Sequence, residues 1–271
     1  MQTLEGKRAL VTGGASGIGR AIAHQLARRG ADILLTDLDA SLAERTANDL
    51  AATGARVRPY RLDVTDAAGI EALRKGVHAD GGPVDLLVNN AGLVFGGAFL
   101  DVPLERHLAT YRVNTLGLVA VTHAFLPDLI GRPDAHVVNV ASASGYIGLP
   151  FGATYASSKW AVIGFSESLA LELALLGHRH VHVTAVCPSY VATGMFAGVR
   201  APLTTRLLTA DRLADLVVHA ILANRPFVRT PWLVKATPLL KGLLPFRVFY
   251  AMAARLGVST SMTDWRGHGP A

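Results

Sequence analysis

Tyr155 and Lys159 stand four residues apart, with Ser142 upstream, in the stretch SASGYIGLPFGATYASSK. On a helix that spacing stacks the two side chains on one face. A lysine ammonium beside a phenol favours the phenolate. Tyrosine on its own titrates near ~10. A positive charge at about 4–5 Å, at an effective dielectric of about 20, contributes on the order of 3–4 kcal/mol, or roughly two to three pKa units. The expectation is a phenol moved towards neutrality, where a general acid or base works best. Ser142 follows the apolar run 137–140, which reads as a buried parallel strand. Its hydroxyl then belongs at the carboxyl end of a sheet, where open α/β sheets take ligands. A Tyr-x-x-x-Lys pair is common on plain amphipathic helices, so the chemistry depends on what else the chain positions around it.

The first positioning element is at the N-terminus. A short β run, 8–12, leads into GGASGIG and then into a helical pattern. Strand, glycine turn and helix in that order form the setting of a dinucleotide site. Gly13 suits the tight turn, and Gly17 and Gly19 suit close approach of a pyrophosphate to the backbone at the helix N-terminus. The next strand, 31–36, ends at Asp37, about 20 residues on, where a carboxylate can accept bonds from ribose hydroxyls. The competing role for Asp37 is a helix cap, since Asp39 and Ser41 nearby suit that job. No arginine follows Asp37, and Ser16 stands where a base would meet a 2′-phosphate. Both points favour NAD over NADP.

Further strands are expected at 56–62, with Asp63 and Val64 at the end, and at 84–88, ending in Asn89-Asn90-Ala91-Gly92. Small and amide residues there suit contact with a flat cofactor. One long helix is expected over 104–130, carrying Asn114. An asparagine on an apolar face is costly unless bonded, so it is either satisfied locally or functional. After 137–140 come the Tyr155 helix to about Leu176, a sixth strand 181–187, a helix 211–222 and a short strand 227–230. The β-α alternation predicts a doubly wound parallel sheet, three-layer α/β/α, in one domain over 1–230 with a tail over 231–271.

Composition agrees with a large core: 51% of the 271 residues are hydrophobic and 17% charged, which excludes global disorder. The single cysteine, Cys187, sits in an apolar run and reads as a small packed hydrophobe. The opening segment lacks an apolar signal stretch, so the expected compartment is the cytoplasm, with membrane association kept open by the tail. Two uncharged runs, 137–158 and 181–199, are too rich in Ser, Gly and Pro to read as membrane spans. The ten histidines show no metal spacing, and no metal or nucleic-acid partner is expected.

The net charge of +6 sits in the tail. From Arg225 on, seven Lys or Arg face one acid, Asp264, together with six aromatic residues. A helix after Pro245 would align Phe246, Phe249, Ala253 and Leu256, with Arg247 and Arg255 elsewhere. That stripe either packs over the substrate pocket or a partner subunit, or lies on an anionic membrane surface.

Taken in series, these motifs resemble the short-chain dehydrogenase/reductase family over residues 6 to 230. The matching residues are Thr12-Gly13-Gly14-Ala15-Ser16-Gly17-Ile18-Gly19, Asp63-Val64, Asn89-Asn90-Ala91-Gly92, Asn114, Ser142 and Tyr155 to Lys159. The resemblance implies a Rossmann-like sheet and an NAD(P)-dependent alcohol/ketone interconversion. It implies Tyr155 as acid/base, Lys159 on the nicotinamide ribose, Ser142 on the substrate oxygen and Asn114 behind a proton-relay water. It assigns Thr193 and the backbone of Val191, after Pro188, to the nicotinamide carboxamide. A homodimer or homotetramer, paired through the long helices, is implied as well. One departure is Pro188-Ser189 where the family commonly has Pro-Gly, so a different loop is expected there.

The run CPSYVATGMFAG resembles the branch acting on retinoids, steroids and other lipophilic alcohols. Val94, Phe95, Tyr146, Ile147, Leu149, Tyr190, Met195 and Phe196 would supply an apolar pocket. The leading expectation is an NAD-dependent dehydrogenase of a lipophilic alcohol. The alternatives are an NADPH-dependent reductase of ketoacyl type and a cofactor-binding regulator without turnover. Retention of both Tyr155 and Lys159 argues against the last.

Overall fold

Seven segments pair into one parallel sheet, and the central ones are rich in Val, Leu and Ile because strands covered on both faces must be apolar. The computed structural model describes residues 1–200 and 207–267. In chain order the elements are β1 (Arg8–Thr12), α1 (Gly17–Ala27), β2 (Asp32–Asp37), α2 (Ala40–Ala51), β3 (Val57–Arg61), α3 (Ala67–Ala79) and β4 (Leu86–Asn89). There follow α4 (Leu104–Tyr111), α5 (Leu118–Ile130), β5 (Ala135–Val140), α6 (Ala153–Leu175), β6 (Val181–Pro188), α7 (Ala210–Leu222), β7 (Phe227–Thr230), α8 (Trp232–Leu243) and α9 (Phe246–Arg255). The strand order is β3-β2-β1-β4-β5-β6-β7. The chain therefore reverses its direction of travel between β1 and β4, the point where doubly wound sheets bind ligands.

Two apolar layers cover the sheet. On one face Ile22 and Leu26 of α1 meet Val217 and Ile221 of α7. On the other, Ile70 and Val77 of α3 meet Phe125 and Leu129 of α5 and Leu173 of α6. The doubly wound, three-layer expectation holds. Helices α2 and α3 start at Asp39 and Asp66, whose carboxylates accept from Leu42 N and Ala68 N at 3.0 Å each. Asp39 thus takes the capping role and leaves Asp37 to other work.

The long helix 104–130 is not uniform. Residues Arg112–Gly117 form a π-helical turn that separates α4 from α5 and contains Asn114. Such turns cluster at functional sites. Taken as one stretch, Leu104–Ile130 is long and apolar enough to cross a membrane, but Phe125 and Leu129 are fully buried against the sheet.

Ser189 follows β6 with its amide donating to Thr230 O at 2.9 Å. It is not among the described residues with positive φ, so serine fits the backbone there without strain. The tail continues directly from β7. Helices α8 and α9 fold back across the carboxyl end of the sheet, and Phe249 and Ala253 are buried there.

Candidate active site

A large cavity opens along the carboxyl ends of the strands, from Asp37 at one end to the tail helices at the other. Its volume is about 1270 Å³. A typical small-molecule site holds roughly 300–1,000 Å³, so two reactants fit side by side.

The glycine turn forms the first wall. Gly13 and Gly17 have φ of 60° and 51°, a region that favours glycine. A Cβ on Gly17 would meet Thr193 Cβ at 3.2 Å, so the turn and the loop after β6 nearly touch across the cavity. Asp37 Oδ2 accepts from Ala15 N at 3.1 Å, which ties β2 to the turn. Ser16 and Ile18 line the cavity between them. Gly19 serves differently from the expectation. A Cβ there would collide with Gly13 O and Asn90 Nδ2, so its role is close packing of α1 on the turn, and it does not line the cavity.

The loop after β4 supplies the second wall, through Asn90, Ala91 and Gly92, and Asp63 and Val64 stand beside it. Asn90 is a staple. Its Nδ2 donates to Thr12 O (3.0 Å) and Gly13 O (2.8 Å), while Thr12 Oγ1 accepts from the amides of Asn90 and Ala91. Asp63 spends its carboxylate on Thr65 N (2.8 Å) and Thr65 Oγ1 (2.7 Å), bonds that hold its pKa below the usual range.

Asn114 stands behind this wall, fully buried. Its Oδ1 accepts from Leu93 N at 2.8 Å, and its Nδ2 donates to Leu93 O at 2.9 Å and Ser158 Oγ at 3.0 Å. The π turn is thereby locked to the β4 loop and to α6. A Cβ on Gly92 would lie 3.2 Å from Asn114 Oδ1 and 3.5 Å from Lys159 Nζ, so Gly92 lets these groups converge on one spot.

The reacting groups come from β5 and α6. Ser142, Tyr155 and Lys159 all line the cavity. Ser142 Oγ accepts from Ser144 N at 3.2 Å, which fixes its rotamer at the strand end. Lys159 is 5% exposed, and its Nζ donates to Val140 O at 2.8 Å. That ammonium lies 5.8 Å from the Tyr155 ring centroid. The expected fall in the Tyr155 pKa is corrected here. Burial pushes the phenol up to about 12, and the Ser142 hydrogen bond pulls it back only in part. The same burial pushes Lys159 down to about 8. Desolvation outweighs the attraction that the four-residue spacing promised, because the ammonium is aimed at a carbonyl. Cys187 is buried and its thiol is pushed up to about 11, which makes it unreactive.

Pro188, Val191 and Thr193 complete the rim. Of the apolar residues expected around the substrate, Ile147, Leu149, Tyr190, Met195 and Phe196 line the cavity. Tyr146 does not. Its hydroxyl turns away to accept from Arg229 Nε at 3.0 Å. Val94 packs beneath the cavity with Tyr155 and Met262, and Phe95 lies under Arg106.

Sequence reading missed two sets of lining residues. Leu233 and Leu240 of α8 and Met252 of α9 reach the cavity beside Phe249, Ala253 and Leu256 of the expected stripe. Arg45, in the second turn of α2, reaches the Asp37 end, as does Arg20. Only the apolar period of the tail hinted at the first set.

A nucleotide-sized cleft at the switch point of a parallel sheet, with a buried Tyr-Lys pair and a serine in its wall, defines an α/β oxidoreductase. The short chain dehydrogenase pattern matches residues 7–203, and the chain belongs to that family. It is 33% identical over 264 residues to epidermal retinol dehydrogenase 2 from Homo sapiens, covering 96% of this chain and 85% of that one. It is 32% identical over 262 residues to estradiol 17-beta-dehydrogenase 11 from Rattus norvegicus, covering 95% and 86%. Among solved structures, a short chain dehydrogenase/reductase from Burkholderia phymatum in complex with NAD superposes with a TM-score of 0.82 at 30% identity, over 89% of this chain and 95% of that chain. The expected family and its retinoid and steroid branch are borne out. The protein is an oxidoreductase of CH–OH groups, and the family supports a nicotinamide cofactor.

Proposed function

We propose that the protein moves hydride between NAD(H) and a lipophilic alcohol or its carbonyl counterpart, of steroid, retinoid or long-chain type. The cavity itself carries this reading: one end is bounded by the glycine turn and Asp37, the other by apolar side chains, and Tyr155 and Ser142 stand between them. The residues fit a dinucleotide, since Gly17 and Gly92 leave cradles that a Cβ would fill. Gly13 to Ile18 would hold the pyrophosphate at the N-terminus of α1, Asp37 the adenosine ribose, and Pro188, Val191 and Thr193 the carboxamide. The nicotinamide supplies the hydride chemistry when bound.

Tyr155 exchanges a proton with the substrate oxygen, which Ser142 orients. Lys159 would hold the nicotinamide ribose and adds positive charge near the phenolate as it forms. Asn114 positions the Gly92 wall and supports the proton path. Residues 1–230 do the chemistry, and the tail closes the lipophilic end. The tail also gives the protein a peripheral membrane contact. Exposed Leu104, Leu108, Leu116, Leu171 and Leu175 on the long helices form the face through which subunits pair as a homodimer or homotetramer.

A second reading, use of NADP(H), is favoured by Arg20 and Arg45 at the Asp37 end. Steady-state rates with steroid, retinoid, aliphatic and short alcohols, each with NAD⁺ and NADP⁺, test both. The expected result is turnover of apolar alcohols with NAD⁺. Absence of turnover with every alcohol, or preference for short polar ones, would contradict the proposal.

A further inference from the structure

Helix α8 has two apolar faces. At 100° per residue, Leu233, Thr237 and Leu240 share the side that lines the cavity, while Trp232, Lys235, Leu239 and Leu243 share the opposite side. The outer leucines and the tryptophan are bare: Trp232 is 69%, Leu239 65% and Leu243 72% exposed. Helix α9 repeats the arrangement. Phe249, Met252, Ala253 and Leu256 face inward, Arg247 and Arg255 face out, and Phe246 at its start is 74% exposed. The stripe expected from the sequence is therefore spent on the cavity wall, except for Phe246. A different set of residues makes an outer apolar face.

The charge on that outer face has one sign. No acidic residue occurs between Asp215 and Asp264, whereas Lys235, Arg247 and Arg255 are exposed there. Among the described residues none of the three pairs with a carboxylate. Lys241 is committed inward, donating to Tyr146 O at 3.0 Å and lying 3.8 Å from the centroid of the Trp160 ring. Tyr250 Oη accepts from Gly148 N at 3.1 Å. These two contacts fasten the lid to the loop that follows Ser142. A bare apolar strip with an interfacial tryptophan and unpaired bases matches an anionic bilayer in both polarity and charge.

We infer that α8 and α9 are a two-faced lid that docks on an anionic phospholipid bilayer through Trp232, Leu239, Leu243 and Phe246, so that a lipophilic alcohol passes from the membrane into the cavity behind the same helices. The passage of substrate rests on the proposed dehydrogenase activity; the docking does not. The test uses the whole protein and vesicles of phosphatidylcholine with and without phosphatidylserine. The double variant Leu243→Glu/Phe246→Glu alters exposed positions outside the cavity wall. The wild type should co-sediment with the anionic vesicles, and added salt should release it. The double variant should bind at least about tenfold more weakly, and Lys235→Gln, Arg247→Gln and Arg255→Gln should each cost roughly fivefold. The double variant should keep its kcat/KM for a short, water-soluble alcohol and lose efficiency only for an alcohol dissolved in the vesicles. Wild type left in the supernatant, equal binding to phosphatidylcholine alone, or a double variant that binds like wild type would overturn the docking. So would a vesicle-free change of oligomeric state in the double variant, which would give the face to a second copy of the chain. If vesicles bind but no alcohol turns over, the activity reading fails and the docking stands.

Discussion

The two ends of the sheet bury charge in opposite ways. At the amino ends of the strands, Asp85 is fully buried and fully occupied: it accepts from Arg8 N at 3.0 Å, Arg132 Nε at 2.6 Å and Lys7 Nζ at 3.4 Å. The amino group of Met1 is buried nearby against Ile221 O and Asn224, with Asp134 at 3.4 Å. At the carboxyl ends, Lys159 has no carboxylate partner among the described residues and one bond, to Val140 O. Tyr155 is buried beside it with its pKa raised, and Ser144 Oγ, in the cavity wall, has no partner among the described residues. Buried charge with its full complement of partners stabilises the fold, while buried charge short of partners is carried at a cost that catalysis explains. His136 is the exception at the amino end, with Nδ1 unpaired among the described residues, and burial there keeps the ring neutral.

The contrast can be broken by mutation. Lys159→Met should cut turnover by about a hundredfold or more, since a positive charge beside the reacting phenol is lost. It should also change the pH dependence of stability. Burial lowers the Lys159 pKa to about 8 from the ordinary 10.5. Between those values the unfolded chain binds the extra proton, so wild-type stability rises with pH across that window. The variant should lack this rise, and its advantage over wild type should shrink from pH 8 to 10.5, as read by urea unfolding. At the other end, Asp85→Ala should cost about 3 kcal/mol of stability, the lower part of the range for a broken buried pair, because Arg132 and Lys7 reach water. Its folded fraction should keep the wild-type pH profile of turnover.

Two further changes sharpen the picture within the site. Asp37→Ala should shift the NAD/NADP ratio of kcat/KM towards NADP by roughly 10- to 1,000-fold, as a carboxylate near a 2′-phosphate is removed. An unchanged ratio would contradict the role given to Asp37. Ser144→Ala removes a hydroxyl without a partner among the described residues, so stability should change by less than about 0.5 kcal/mol. A larger loss in thermal unfolding would show that the hydroxyl is bonded in solution.

The central strands were legible because a doubly covered sheet demands apolar runs. The expected ranges 8–12 and 227–230 coincide with β1 and β7. The expected site residues were legible as a set: Gly13, Asp37, Asp63, Asn90, Ser142 and Pro188 each sit at or just past a strand end, and of the expected site residues all but Gly19 and Asn114 line one cavity. What stayed hidden depends on partners far away in the chain. Asn90 reads as a cofactor contact until Thr12 and Gly13 are seen to take its amide. The π turn at Asn114 leaves the apolar period of its helix unbroken. A hydrophobic stripe likewise shows that a tail helix has an inner face, but not what lies beneath it. The Tyr155 pKa was misjudged for the same reason: spacing gives the distance to Lys159, and burial is a property of the whole fold.

Tyr155→Phe, measured for turnover and for urea unfolding on one preparation, tests the central contrast most directly. The ring still packs and only the hydroxyl is lost. The account predicts a fall in kcat of about 10²–10⁴-fold with stability unchanged within about 0.5 kcal/mol. A variant that keeps more than about a tenth of wild-type kcat, or that loses more than about 2 kcal/mol of stability, would show that the phenol is a structural group and not the acid/base of the site.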